Sequence, residues 1–131
     1  MPVTVIIRDE TAGGKILTEI PITLNSELTT VKEIILARLQ VEVEAYNEKL
    51  PEYFMGLVQP SDAEQTLNGY RLKERRKVDL EKQCFIALDA FKKNGYFVLI
   101  DDIQAESLEQ MISINNNTNI SFVKLTPLVG G

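Results

Sequence analysis

The residues best placed to do chemistry are the two that close the chain, Gly130 and Gly131. Without side chains, a glycine pair can thread a narrow channel and present a terminal carboxylate to an ATP-dependent activating partner. The competing reading of the same pair is a frayed chain end. Other candidates are weaker. Cys84 is the only cysteine, so no intrachain disulfide can form, and it shares a helical stripe with Leu80, Leu88 and Phe91 that suits a buried thiol better than a nucleophile. With no histidine in the sequence, Cys-His and Ser-His-Asp arrangements and histidine metal sites are excluded, and one cysteine cannot build a zinc knuckle. Gly13-Gly14-Lys15 departs from a phosphate loop, because Asp9 stands where the first glycine belongs and Ile16 replaces the hydroxyl residue. Asp101-Asp102 reads as a solvated turn, and Glu42, Glu44 and Glu48 as a solvated helix face. Neither a metal nor a bound cofactor is expected.

Arg71, Lys73, Arg75, Arg76 and Lys77 place five cations in seven residues of a chain whose formal net charge is -5. Such a stretch could grip an acidic partner, and the competing reading is a solvated loop. Only Tyr70 stands near it to stack on bases, so nucleic-acid binding is not expected. Tyr53, Phe54 and Met55 are the candidate exposed apolar surface, set against a role in the core.

The elements that must position these groups fit one domain spanning residues 1–131, since 131 residues at 44% hydrophobic content can bury a real core. Met1-Pro2-Val3-Thr4 lacks the basic start and apolar run of a signal peptide, and no apolar run approaches a membrane span of roughly 20 residues. A cytoplasmic protein with no membrane partner is expected. The sequons at Asn116 and Asn119 then read as turn and strand residues.

Val3, Val5 and Ile7 alternate as the inner face of a strand, Asp9 to Gly14 reads as a turn, and Lys15 to Leu24 as a second strand confined by Pro21 to an edge or bulge. Thr30 followed by Glu33 has capping-box spacing and opens a helix from Val31 to about Asn47, with Val31, Ile34, Ile35, Ala37, Leu39 and Val41 on its buried side. A second helix is expected from Val78 to Lys93, stopped by Asn94-Gly95. Tyr96 to Ile100 reads as a strand, Ile103 to Glu106 as a strand pairing back on it, Ser107 to Met111 as a helical turn and Ile120 to Leu125 as the last strand.

This order, and in particular Phe97-Val98-Leu99-Ile100, Ile103-Gln104, Glu106-Ser107-Leu108 and Ile120 to Leu125 running into Gly130-Gly131, resembles the ubiquitin-like family. The resemblance covers roughly residues 2–47 and 96–131. It implies an α+β beta-grasp fold, a mixed sheet over one helix, with a helical insertion at about 48–95 between the helix and the third strand. The size and the insertion look most like the ubiquitin-like proteins of bacterial conjugation operons, which implies a part in antiviral defence. The resemblance further implies a protein modifier and not an enzyme. ATP is consumed by an activating enzyme, with a conjugating enzyme, a deconjugating protease and a protein target as further partners. Gly131 would be the conjugated residue, Gly130 its neighbour, and Thr126, Pro127, Leu128 and Val129 the tail contacts in the activating enzyme, where Pro127 favours an extended backbone. The tail lacks the arginines of ubiquitin-type ends, so a dedicated partner is expected. Its apolar Val-Gly-Gly end is also similar to bacterial sulfur carriers, which convert the same carboxylate to a thiocarboxylate, and this is the alternative function.

Overall fold

The computed structural model describes residues 2–66, 69–74 and 76–125. Strand β1 (Val3–Thr11) pairs antiparallel with β2 (Ile16–Leu24), and the short β3 (Leu28–Thr30) leads directly into helix α1 (Val31–Lys49). Then come the hairpin β4 (Ala63–Thr66) and β5 (Gly69–Leu72), helix α2 (Leu80–Lys92), the hairpin β6 (Tyr96–Ile100) and β7 (Ile103–Gln104), β8 (Met111–Ser113) and β9 (Ile120–Lys124). The result is an α+β fold whose main sheet has five strands in the order β2-β1-β9-β6-β7, with β3–β8 and β4–β5 as separate pairs.

The first and last strands lie side by side and parallel, with Ile7 opposite Ile120, Asp9 opposite Phe122 and Thr11 opposite Lys124. β9 is also antiparallel to β6, pairing Val98 with Phe122 and Tyr96 with Lys124. Parallel neighbours need a long crossover, and here nearly the whole chain supplies it. Because alternate residues share a face, Val3, Val5, Ile7, Ile22, Leu24, Val98, Ile120 and Phe122 all point to one side. There they bury against Val31, Ile34, Ile35 and Leu39 of α1. Pro21 sits in the edge strand β2, where its missing N–H costs no ladder bond.

Helix α1 starts where its capping residues predict. The Thr30 hydroxyl accepts from the Glu33 N–H at 3.1 Å, while the Glu33 carboxylate takes a bond from the Thr29 hydroxyl at 2.7 Å. Two further N-terminal donors are met from afar, Val31 N–H by the Gln110 carbonyl and Lys32 N–H by that of Leu108. That use of residues 108–110 corrects the expected helical turn at Ser107 to Met111. The segment makes a turn at Leu108 and Glu109 and then enters β8, which pairs with β3.

The buried stripe of α1 also differs from expectation. Val31, Ile34, Ile35, Arg38, Leu39, Glu42, Val43 and Tyr46 are buried, whereas Val41 is exposed and Ala37 half-buried. Glu44 and Glu48 face solvent as expected, but Glu42 does not. The first strand runs on through Asp9 to Thr11, so Asp9 lies within the sheet and not in the turn.

Residues from about 48 to 95 lie against the far half of α1. Val43 and Tyr46 meet Phe54, Leu72 and Val78 in a second apolar cluster, with the Tyr46 and Phe54 rings edge to face at 5.2 Å. The Asn47 side chain grips both backbone groups of Val78, accepting at 2.7 Å and donating at 2.9 Å, and so fixes the approach to α2. Asp79 caps that helix through the Lys82 N–H. Leu57, Val58 and Ala87 join the main core, and the Tyr96 hydroxyl donates to the Ala87 carbonyl, tying α2 to β6. Leu80, Cys84, Leu88 and Phe91 pack on this core but stay half-buried, while Gln83 and Ala87 are the fully buried residues of α2. The Gln83 amide donates to the Val58 carbonyl at 2.8 Å, which accounts for a polar residue in that place.

Candidate functional site

Gly130 and Gly131, with Thr126, Pro127, Leu128 and Val129, lie outside the described residues, as does Arg75. What is described is the base from which that segment departs, and this base is built on charge. Two residues before Leu125, the last described residue, β9 carries Val123 on its outer face. On the inner face are Phe122 and Lys124, in register with Asp9 and Thr11 of β1.

Arg38 reaches up from α1 into this place and is wholly buried. Its two terminal nitrogens donate to the two carboxylate oxygens of Asp9, Nη2 to Oδ2 at 2.6 Å, in a bidentate pair. The guanidinium lies over the Phe122 ring, 4.7 Å from its centroid. One turn along the helix, Glu42 brings Oε2 to 3.5 Å from Arg38 Nε, near enough for an ion pair although neither atom makes a hydrogen bond. Its other oxygen accepts from the Leu57 N–H at 3.2 Å. Lys124 completes the cluster, with Nζ 3.8 Å from Asp9 Oδ2 and donating to the Gly56 carbonyl at 2.9 Å.

Two cations and two carboxylates therefore balance, with Asp9, Arg38 and Glu42 buried and the Lys124 side chain 29% exposed at the margin. Burial pushes the Glu42 carboxyl above its ordinary range, against the opposing pull of Arg38 and the Leu57 N–H. Burial likewise draws the Lys124 amine down, against the pull of Asp9. The evident chemistry of the cluster is to hold four elements in one orientation: β1, α1, β9 and the Gly56–Leu57 segment.

Reasoning from sequence missed this cluster. Asp9 was expected in a turn and Glu42 in solvent, and Arg38 and Lys124 carried no assignment. A signal was present. Asp9 continues the alternation Val3, Val5, Ile7, and Arg38 and Glu42 continue the stripe Ile34 to Tyr46 at i, i+4 spacing. Charges on two apolar faces, opposite in sign, point to burial as a pair.

The remaining candidates are scattered. Phe54 is a core residue, Tyr53 is half-buried, and only Met55 of that trio is exposed, at 71%. Arg71 stands on β5 opposite Glu64, Arg76 pairs with Asp62 at 3.2 Å, and Lys73 and Lys77 are exposed, so carboxylates dilute the basic stretch. Burial pushes the Cys84 thiol up, with Glu42 adding to it, which disfavours the thiolate. A groove of about 450 Å³ between the end of α2 and residues 104–109 is lined by Phe91, Tyr96, Leu108 and the carboxylates of Glu106 and Glu109. Among the described residues no three His, Cys, Asp or Glu side chains converge as metal ligands, and no helix is long and apolar enough to cross a membrane. Comparison with protein-family models, curated proteins and solved structures found no match.

Proposed function

We propose that this chain is a single-domain, cytoplasmic ubiquitin-like modifier of beta-grasp fold, activated at its diglycine and joined through Gly131 to a protein target. The observation that carries the reading is the parallel pairing of β1 with a central β9 across from α1. With the β3–β8 pair and the elements of residues 48–95 set aside, the sheet reads as an opening hairpin, the last strand, the third strand and a short fourth, around one helix. That is the arrangement which resemblance to the family implies. Leu125 follows β9 directly and is exposed, and six residues beyond it can span at most about 20 Å when extended. A glycine carboxylate at that distance can enter a partner's active site without the folded body following it.

In this reading the chain contributes shape and a carboxylate, and the catalytic groups belong to its partners. The Gly131 carboxylate displaces pyrophosphate from ATP on the activating enzyme, a cysteine thiolate of that enzyme displaces AMP to give a thioester, and an acceptor nucleophile then displaces the thiol. A conjugating enzyme and a deconjugating protease are the expected companions, and defence against phage the expected setting. The second reading, a sulfur carrier, draws on the apolar Pro127-Leu128-Val129 approach to the same glycines.

The test is to express an N-terminally tagged chain whose last residue is Gly131 in its host, recover it under denaturing conditions and analyse its C-terminal peptide by mass. An amide or ester bond from Gly131 to another protein is the expected outcome. A free chain heavier by one oxygen-to-sulfur exchange would instead establish the carrier. Equal modification of a chain lacking Gly131 would refute both.

A further inference from the structure

Helix α2 ends beside the segment that leaves β7, and the groove between them, about 450 Å³, falls within the roughly 300–1,000 Å³ common to ligand sites. Its walls are fixed from within. The Tyr96 hydroxyl donates to the Ala87 carbonyl at 2.7 Å, the Ala105 N–H to the Val98 carbonyl at 2.8 Å and the Glu106 N–H to the Gln110 side chain at 2.8 Å. The Leu108 carbonyl is taken by the Lys32 N–H of α1. Tyr96 and Leu108 are buried and Phe91 and Phe97 half-buried, so aromatic and aliphatic surface lines the cleft.

The charge beside this apolar surface is negative. Glu106 and Glu109 line the groove, both are exposed, and neither has an ion-pair partner among the described residues. α2 brings the negative end of its dipole to the same place, since Phe91, Lys92 and Asn94 at its end are also lining residues. Lys93 is paired with Asp89 at 2.8 Å, and Lys92 opposes the two carboxylates with a single charge. Anions are therefore disfavoured. A cation on an apolar stem suits all three features at once: its stem covers apolar wall, its charge faces an aromatic ring, and a carboxylate compensates it. Arginine fits better than lysine, because its planar, weakly hydrated guanidinium stacks on aromatic faces and pairs with carboxylates through two bonds.

We infer that this groove is a docking site for an arginine side chain in a basic segment of a partner protein, with Glu106 and Glu109 as counter-charges and Phe91, Tyr96 and Phe97 as stacking surface. The formal net charge of -5 draws a basic partner toward the surface at large, and the groove gives one of its side chains a place to lodge. Such a site needs nothing from residues 126–131 and stands whether or not Gly131 is conjugated.

The test is titration of the isotope-labelled chain with a capped peptide of alternating glycine and arginine, followed through amide chemical shifts at low and at raised salt. Three further probes are compared. A citrulline counterpart keeps the shape without the charge, a lysine counterpart keeps the charge without the planar fork, and spermidine supplies cationic charge without a peptide. The arginine peptide should bind saturably, move the amides of residues 91–97 and 104–109, and weaken as salt rises. Glu106→Gln combined with Glu109→Gln should lower its affinity about three- to tenfold at low salt. Glu44→Gln combined with Glu48→Gln removes the same charge from the solvent face of α1 and should change it by about twofold at most. Lys92→Gln should raise it about two- to threefold by removing the opposing charge. All five positions are exposed, so these variants keep the fold.

No saturable binding, equal binding of the citrulline peptide, shifts centred outside 91–97 and 104–109, or equal losses in the two carboxylate pairs would overturn the site. A Lys92→Gln variant that binds no tighter would do the same. A lysine peptide as tight as the arginine one would overturn the choice of arginine, and spermidine as tight as either would assign the groove to a free polyamine and not to a protein segment.

Discussion

Removing Asp9 should be among the most damaging single changes this chain can suffer. In Asp9→Ala the Arg38 guanidinium loses both oxygens of its bidentate partner while remaining wholly buried, and its Nε already lacks a hydrogen bond. Lys124 loses its nearest carboxylate in the same step, so the cluster is left with two cations and Glu42 alone. Breaking a buried pair by deleting one partner costs about 3–5 kcal/mol, because the survivor stays desolvated and uncompensated. A domain of this kind has only about 5–15 kcal/mol in total. The corresponding fall in Tm is roughly 10–20 °C at this chain length. The companion variant replaces Asp9, Arg38 and Glu42 together by Leu, Met and Leu, which removes the three buried charges with their desolvation, leaves only the partly exposed Lys124, and keeps volume in the core. It should be more stable than Asp9→Ala despite carrying three substitutions. Urea unfolding followed by far-ultraviolet circular dichroism gives both values from midpoint and slope. A loss below about 1 kcal/mol for Asp9→Ala, the level of a surface pair, would refute the buried cluster. A triple variant weaker than the single one would show that the ion network itself carries net stability.

Three further outcomes follow from the same geometry. The Glu42 carboxyl is pushed up in the folded chain, so the folded state binds the extra proton first; relative to Glu42→Gln, the wild type should gain stability as pH falls from neutral toward 4.5. Paired urea titrations across that range check it, and a relative loss on acidification would mean the carboxylate is favoured by its surroundings. Gly56→Ala should cost about 1–3 kcal/mol by driving a methyl into the buried Phe54 ring, whereas Gly13→Ala, with only the Thr11 hydroxyl near, should be close to neutral in thermal melts. Cys84 should react with a thiol reagent at neutral pH well below the rate of an unfolded control, since burial both covers the thiol and disfavours its thiolate. Equal rates would mean α2 does not sit on the core.

Much of the framework was legible because it rests on local rules. The alternation Val3, Val5, Ile7, the Thr30 cap and the Asn94-Gly95 stop each act within a few residues, and each lies where it was read. Asp101 and Asp102 both adopt positive φ, as a tight hairpin between β6 and β7 requires. What escaped was set by partners distant in sequence. β3 and β8 are strands only because each has the other, more than eighty positions away, and neither three-residue run carries its own pattern. The β4–β5 hairpin has strands of four residues whose apolar members are only Ala63, Tyr70 and Leu72, too short a run to establish an alternation. Glu42 looked like a solvent residue, and Arg38 drew no assignment, because charge ordinarily predicts exposure, and only the inward-facing Asp9 and Lys124 reverse that. Cys84 was placed correctly on the α2 stripe but judged too deep, since that stripe lies along the rim of the core and Gln83 and Ala87 make the inner line.

The place of β9 has a consequence for how the chain comes to be folded. Among the described residues it is the strand that links the β1–β2 hairpin to the β6–β7 hairpin within the main sheet, touching one on either side. Until residues 120–124 exist, each hairpin can form alone but the two have no shared edge, and Phe122 and Lys124 are missing from beneath Arg38. Contacts of such long sequence separation form late and slowly, because the loop must be closed before they return any free energy. Synthesis therefore yields a partly folded chain with an open sheet and an unbalanced cluster until residues 120–124 have been made. The body closes only with the last described strand, so folding of the sheet waits on residues made more than a hundred positions after the strand that begins it.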